Sequence, residues 1–190
     1  MLAFWSSPIC HKSTCRNLAS LSKVTTAQQI IDRLQLVPLT IEGGYFRETY
    51  RSATSLAATA LPPNYGGDRS VSTAIYYLLT PETFSAIHQV KSDEVFHFYA
   101  GDSVEMLQLA DGTARIVTIG NDLDAGHLPQ LVVPGGLWQG CRLIPGGQWA
   151  LLGCTVAPGF DYADFTAANR VELVAQYPDH ADLIRALTKP

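Results

Sequence analysis

From Ser70 to Ala157 the chain reads as short β-branched and aromatic runs, broken at close intervals by Gly and Pro. The runs are SVSTAIYYLLT (70–80), FSAIHQV (84–90), EVFHFYA (94–100), SVEMLQLA (103–110), ARIVTIG (114–120), LPQLVVP (128–134), WQGCRLI (138–144) and WALLGCTVA (149–157). A strand alternates its side chains between two faces and buries the apolar face only by packing against other strands. Ala110-Asp111-Gly112 between two runs is a hairpin turn of the Asp-Gly type. GGYFRETYRS, opened by Gly43 and Gly44, begins a further strand. So many short strands at regular spacing predict an all-β sandwich or closed antiparallel barrel.

Helical text flanks this β region. TTAQQIIDRLQL starts from Thr25 or Thr26 as N-cap, places Ile30, Ile31 and Leu34 at helical spacing, and stops before Pro38. The stretch from Asp164 to Leu187 reads as helix broken at Tyr177-Pro178. Its apolar stripes, Val171, Leu173 and Val174 followed by Leu183, Ile184 and Leu187, are expected to dock on the sheets.

Composition excludes several partners. Hydrophobic residues make up 47% and charged residues 16%, a globular balance. No apolar run reaches the ~20 residues of a membrane span, so no membrane partner is expected. Residues 1–24 hold Lys12, Arg16 and Lys23 and no acid, so the rest carries 17 acidic against 10 basic residues. A negative body is a poor match for a phosphate backbone, which argues against nucleic acid. The Ser-rich, acid-free segment 1–24 reads as a leader or a tail, followed by a single domain over 25–190. The expected location is cytoplasmic, or an organelle if residues 1–24 are a transit peptide. Cys10, Cys15, Cys141 and Cys154 form no Cys-x-x-Cys pair, which favours reduced, buried thiols. A Cys141–Cys154 bridge stays open, since both could lie on one hairpin.

Two blocks about 40 residues apart carry the chemistry: His88, Glu94 and Gly101 in the first, and PGGLWQG (Pro134 to Gly140) in the second. With them the chain resembles the cupin superfamily. The first cupin motif runs Gly, His-x-His, Glu, Gly, and the second runs Gly, Pro-x-Gly, His, Asn. His88 stands at the first His position and Glu94 at the Glu, while Pro134 and Gly136 open the second motif. Val90 replaces the second His, Gln139 the His of the second motif, and Leu143 the Asn. EGGYFRETYRS, SDEVFHFYAGD, VPGGLWQG, GCTVAPGFDYADF and YPDHADLIRALT resemble, in that order, a small cupin subfamily described as a domain of unknown function. The resemblance spans about residues 26–188 and implies a double-stranded β-helix (jelly roll) with short N- and C-terminal helices. It also implies a barrel that often forms a homodimer through its sheets, and a pocket like those of sugar epimerases and isomerases.

A catalytic metal centre needs at least three good protein ligands and an open position. His88 and Glu94 are two, Gln139 is a weak third, and Val90 is none. His97 lies on the opposite strand parity from Glu94, so a bulge between them would be needed to bring it in. A metal-free polar pocket is therefore favoured, with a Zn, Fe or Mn centre on His88, Glu94 and a third group as an alternative. In the metal-free reading His88 is a general base, Glu94 its orienting partner, and Gln139 a hydrogen-bonder to a small-molecule ligand. His97 and Tyr99 are further ligand-contact candidates, or residues of the outer face or a dimer interface. The rival readings keep His88 as a core histidine and pair Glu94 with Arg47 or Arg142, or make the barrel a non-catalytic metabolite binder. One of Tyr45, Tyr50, Tyr76, Tyr77 and Tyr99 is expected to face the barrel interior and assist proton transfer. Cys141 and Cys154 are expected to be too buried to act as nucleophiles.

Overall fold

The computed structural model describes residues 26–189. The readings of residues 1–24, with Cys10 and Cys15, lie outside the described residues. Helix α1 (Ala27–Leu34) starts at Thr26, whose hydroxyl accepts from the Gln29 amide. It ends at Gln35 in the left-handed conformation, three residues before Pro38. The strands follow as β1 (Val37–Pro38), β2 (Tyr45–Arg51), β3 (Ser55–Leu56), β4 (Arg69–Ser70) and β5 (Thr73–Leu79). Next come β6 (Ser85–Val90), β7 (Asp93–Gly101), β8 (Val104–Ala110), β9 (Thr113–Ile119), β10 (Gln130–Val133), β11 (Trp138–Leu143) and β12 (Ala150–Ala157). β13 (Phe165–Ala167), α2 (Arg170–Gln176) and α3 (Ala181–Ala186) close the chain.

The strands form two antiparallel sheets. One has the order β1-β2-β5-β12-β7-β10, the other β13-β6-β11-β8-β9, and β3 pairs with β4 separately. Between the sheets lies a core of Leu79, Phe96, Val104, Met106, Ile119, Cys141, Leu152 and Cys154 among others. These are the inward positions of the period-2 runs, while α1 covers part of the first sheet and α2 and α3 pack on the second. The architecture is a mostly-β jelly roll with short terminal helices, as the spacing of the runs and the resemblance predict. Asp111 and Gly112 both have positive φ, as the hairpin between β8 and β9 requires.

Two local readings change. Phe165–Ala167 is strand rather than helix, pairing with β6 at Val90, Gln89 and His88. Val171 is 76% exposed, so α2 is anchored by the buried Leu173 with the half-buried Val174. Cys141 and Cys154 sit on strands of different sheets, and both are free thiols. No helix of the described residues is long and apolar enough to cross a membrane.

Candidate functional site

The interior side of β6, β7 and β11 brings three of the sequence candidates together. His88 on β6 is buried, and its Nδ1 lies 2.7 Å from the Ala86 carbonyl. A carbonyl only accepts, so Nδ1 carries the proton and Nε2 presents a lone pair. Gln139 on β11 is fully buried and aims its amide nitrogen at that lone pair, 2.9 Å away. The same nitrogen donates to Glu94 Oε2 at 3.1 Å. Glu94 Oε2 is 3.8 Å from His88 Nε2, and Phe165 stacks on the imidazole with ring centres 4.9 Å apart. The register explains the meeting: Gln139 lies opposite His88 across the β6–β11 pair, and Glu94 faces inward from the other sheet.

A residue that sequence reasoning passed over completes the cluster. Glu42 lies in the β1–β2 loop, with Oε2 4.0 Å from His88 Nε2 and Oε1 accepting from the Ser85 hydroxyl at 2.5 Å. Its loop is held by several bonds: Ala86 N–H donates to the Glu42 carbonyl (2.9 Å), Tyr77 O–H to the Gly43 carbonyl (3.0 Å), and Gly43 N–H to Leu39 (2.7 Å). Gly43 and Gly44 both have positive φ, and a Cβ on Gly43 would lie 2.1 Å from the Phe84 carbonyl oxygen. Only a Gly-Gly pair lets the chain turn there and direct Glu42 inward. An acidic residue immediately before Gly-Gly was the available signal.

The electrostatics follow from burial. Desolvation holds the Glu94 carboxyl above the ordinary carboxylate range; the charge of Glu42 adds to this, and the hydrogen bonds from Gln139 and Cys154 oppose it. Burial also pushes up the Cys154 and Cys141 thiols and the Tyr77 phenol, with nearby carboxylates adding to the effect. All three stay protonated at neutral pH, so neither cysteine serves as a thiolate nucleophile. Among the described residues, Gln139 Oε1 is buried without a hydrogen-bond partner. Glu94 does not pair with either suggested arginine: Arg142 bonds Glu105 at 2.6 Å, and Arg47 reaches Gln35 and lies over the Tyr76 ring.

The cluster opens on a cavity of about 90 Å³. Leu39, Ile41, Phe46, Ile75 and Val156 make apolar walls, and Glu42, His88, Glu94 and Cys154 line its polar end. Glu48, Arg51, Phe160 and Tyr162 also line it, at the exposed end of β2 and the segment before β13. Arg51 bonds Glu48 through two nitrogens (3.0 and 2.7 Å) and the Phe160 carbonyl through the third (3.2 Å). A wider depression of about 370 Å³, bordered by Thr83, Arg142 and Pro145, is lined by no carboxylate or imidazole. Of these two, the smaller cavity is the one that gathers carboxylates and an imidazole.

That wall is braced from behind. Asp164 is buried and accepts from Arg69 at 2.6 and 2.7 Å, with Lys91 3.2 Å away. Burial pushes its carboxyl up, but bonds from Arg69 and Lys91 prevail and hold it below the usual range. The acidic stretch Pro158 to Phe165 is thus an anchored turn that joins β12 to the terminal segment.

Gln139 bridges His88 and Glu94 and is not itself a lining residue of the cavity. His97 and Tyr99 lie on the outer face of the first sheet. His97 contacts Gln130 and Thr155, and Tyr99, 51% exposed, lies over Gly153. The β7 irregularity falls at Tyr99, between the pairs Phe98↔Leu152 and Ala100↔Leu151, so it does not turn His97 inward. Tyr77 is the inward tyrosine.

A cupin metal centre does not fit these residues. Val90 occupies the second imidazole position, and the amide nitrogen of Gln139, a donor, sits between His88 Nε2 and Glu94 Oε2, where a cation would need acceptors. Among the described residues no group of three or more His, Cys, Asp and Glu is placed to hold a metal ion.

Comparison with known proteins gives a consistent picture. A family model described as "Cupin superfamily (DUF985)" matches residues 28–168. A protein of Saccharomyces cerevisiae, "Uncharacterized protein YML079W", is 34% identical over 152 residues, 75% of each chain. A hypothetical protein from Leishmania major has a solved structure that superposes with a TM-score of 0.78 at 34% identity, covering 87% of this chain and all of that one. The crystal structure of protein SO0799 from Shewanella oneidensis gives 0.76 at 33% identity, covering 87% and 99%.

Proposed function

Since the chain belongs to the DUF985 family of the cupin superfamily, we propose that its barrel binds a small metabolite in the Glu42–His88–Glu94 cavity and acts on it as an isomerase- or epimerase-like enzyme. The observation that carries this reading is the placement of two carboxylates against one imidazole whose tautomer is fixed by the Ala86 carbonyl. Such a cluster can take and return a proton at a carbon beside a carbonyl. Glu42 is the group that moves it: Ser85 fixes one oxygen, and the other faces His88 at the cavity. The C–H proton passes to Glu42 and its electron pair moves into the carbonyl as an enediolate; the proton of the adjacent hydroxyl passes to the former carbonyl oxygen, and Glu42 returns its proton to the former carbonyl carbon on the same face, leaving the new carbonyl at the neighbouring position. Thr73 lines the same cavity, and its oxygen accepts from Phe160 N–H, which leaves its own hydrogen for the enolate oxygen. Gln139 holds Glu94 and Ser85 holds Glu42.

The volume restricts the ligand. Pockets for drug-sized molecules run to roughly 300–1,000 Å³, so a cavity of about 90 Å³ takes a compound of a few non-hydrogen atoms or the reacting end of a longer one. The working unit in this proposal is a homodimer formed through the outer face of the first sheet. Support comes from Tyr99 and Val132, exposed apolar and aromatic side chains there at 51% and 52%, with the half-buried Tyr76 edge-on to Tyr99.

The test is proton NMR of small aldehydes, ketones and sugars in deuterated water with the protein present. Catalysed exchange of a hydrogen beside the carbonyl, abolished in Glu42→Gln, is expected. Ligands that protect the protein from thermal unfolding yet show no exchange would make the barrel a binding protein and overturn the enzymatic reading.

A further inference from the structure

The charges lining the cavity are unequal in a way that specifies the ligand. Arg51 is the only guanidinium or ammonium on the described lining, and its nitrogens are committed to Glu48 and the Phe160 carbonyl. Glu42 and Glu94 then face the cavity with His88 as the basic side chain within 4.0 Å of both among the described residues, and Gln139 and Cys154 supply neutral donors to Glu94. An anionic ligand would meet two carboxylates and no uncommitted cation.

We infer that the cavity takes a small organic ammonium ion, an amine-bearing carbonyl compound in the proposed reaction, with its cationic nitrogen between Glu42 and Glu94 and its carbon skeleton on the apolar walls. This rests on the cavity being the working site, but it does not require that the proton-transfer step be correct. The cation also answers the cost of burying Glu94. That carboxyl is kept above its ordinary range by desolvation and by Glu42, with the Gln139 and Cys154 bonds opposing, and a cation beside it favours the ionised form. Ammonium binding therefore releases a proton where Glu94 is still protonated and releases none once Glu94 is already ionised.

The experiment compares n-propylammonium with propionate, near-isosteres of opposite charge, by isothermal calorimetry on the full-length protein. Runs in two buffers of different ionisation enthalpy count the protons released. Propylammonium is expected to bind and propionate not to bind. Glu42→Gln and Glu94→Gln, both near-isosteric, should each weaken propylammonium about tenfold or more, and Glu94→Gln should abolish proton release. Circular dichroism checks that both variants are folded. Binding of propionate equal to or tighter than that of propylammonium overturns the inference, as does failure of propylammonium to bind or unchanged affinity in both variants. Catalysed exchange on neutral carbonyl compounds without ammonium binding would leave the enzymatic reading standing and remove this one. Ammonium binding without exchange would do the reverse.

Discussion

Replacing Gln139 with Leu removes the amide that joins the two sides of the site while keeping side-chain volume nearly constant. The amide nitrogen bonds a neutral imidazole at 2.9 Å and a carboxylate at 3.1 Å. The first bond is worth about 1 kcal/mol net and the second about 1.5–3 kcal/mol. Removing the unpartnered Oε1 returns part of this, about 1 kcal/mol. The net loss is then about 1.5–3 kcal/mol, which for a chain of this size lowers Tm by roughly 3–12 °C. Urea unfolding followed by tryptophan fluorescence measures it. A second variant tests the cause. In Glu94→Leu/Gln139→Leu the buried carboxylate is gone along with its donor, so the double variant should lose at least ~1 kcal/mol less than the sum of the singles. A Gln139→Leu protein within about 0.5 kcal/mol of the parent, or an additive cycle, would refute the bridging role of the amide.

Three further outcomes follow from the same geometry. Because burial raises the Glu94 carboxyl, the folded protein keeps a proton that the unfolded chain loses above the ordinary Glu value of ~4.3. Stability should therefore fall as pH rises from there through the folded value, and Glu94→Gln should flatten that fall in urea titrations across pH; equal slopes would count against it. Asp164→Ala strands the buried Arg69 and should cost about 3–5 kcal/mol, read as a large drop in urea midpoint; a drop under about 1 kcal/mol would show that the pair is not load-sharing in solution. Val132→Lys with Tyr99→Glu should convert a dimer to a monomer by light scattering without changing the circular dichroism, and an unchanged mass would remove the outer face as the interface.

The β core was legible because the long strands are β-branched and aromatic runs, most of them ending near Gly, Pro or Asp-Gly; β7, β8, β11 and β12 fall within a residue or so of their runs. The short pieces β1, β3, β4 and β13 were not, since two or three residues carry no periodicity and pair only because a neighbouring strand offers an edge. In the site, His88, Glu94 and Gln139 were readable as strand residues of matching parity. Their division of labour was not: the Ala86 carbonyl, two residues from His88, sets its tautomer, and that depends on ring rotation rather than sequence. Glu42 escaped notice because a loop residue has no parity. Its direction comes from Gly43, Gly44, Tyr77 and Ser85 acting together.

The most direct test of the central claim, that ligands meet the protein at the His88 face of the barrel, is long-range proton–nitrogen NMR of protein labelled with ¹⁵N-histidine, with His88 assigned from His88→Gln. The predicted spectrum shows His88 protonated on Nδ1 with Nε2 bare, and its Nε2 signal moves on adding propylammonium while His97 and His127 stay fixed. A His88 protonated on Nε2, or ring signals unmoved by the added ligand, would contradict the account.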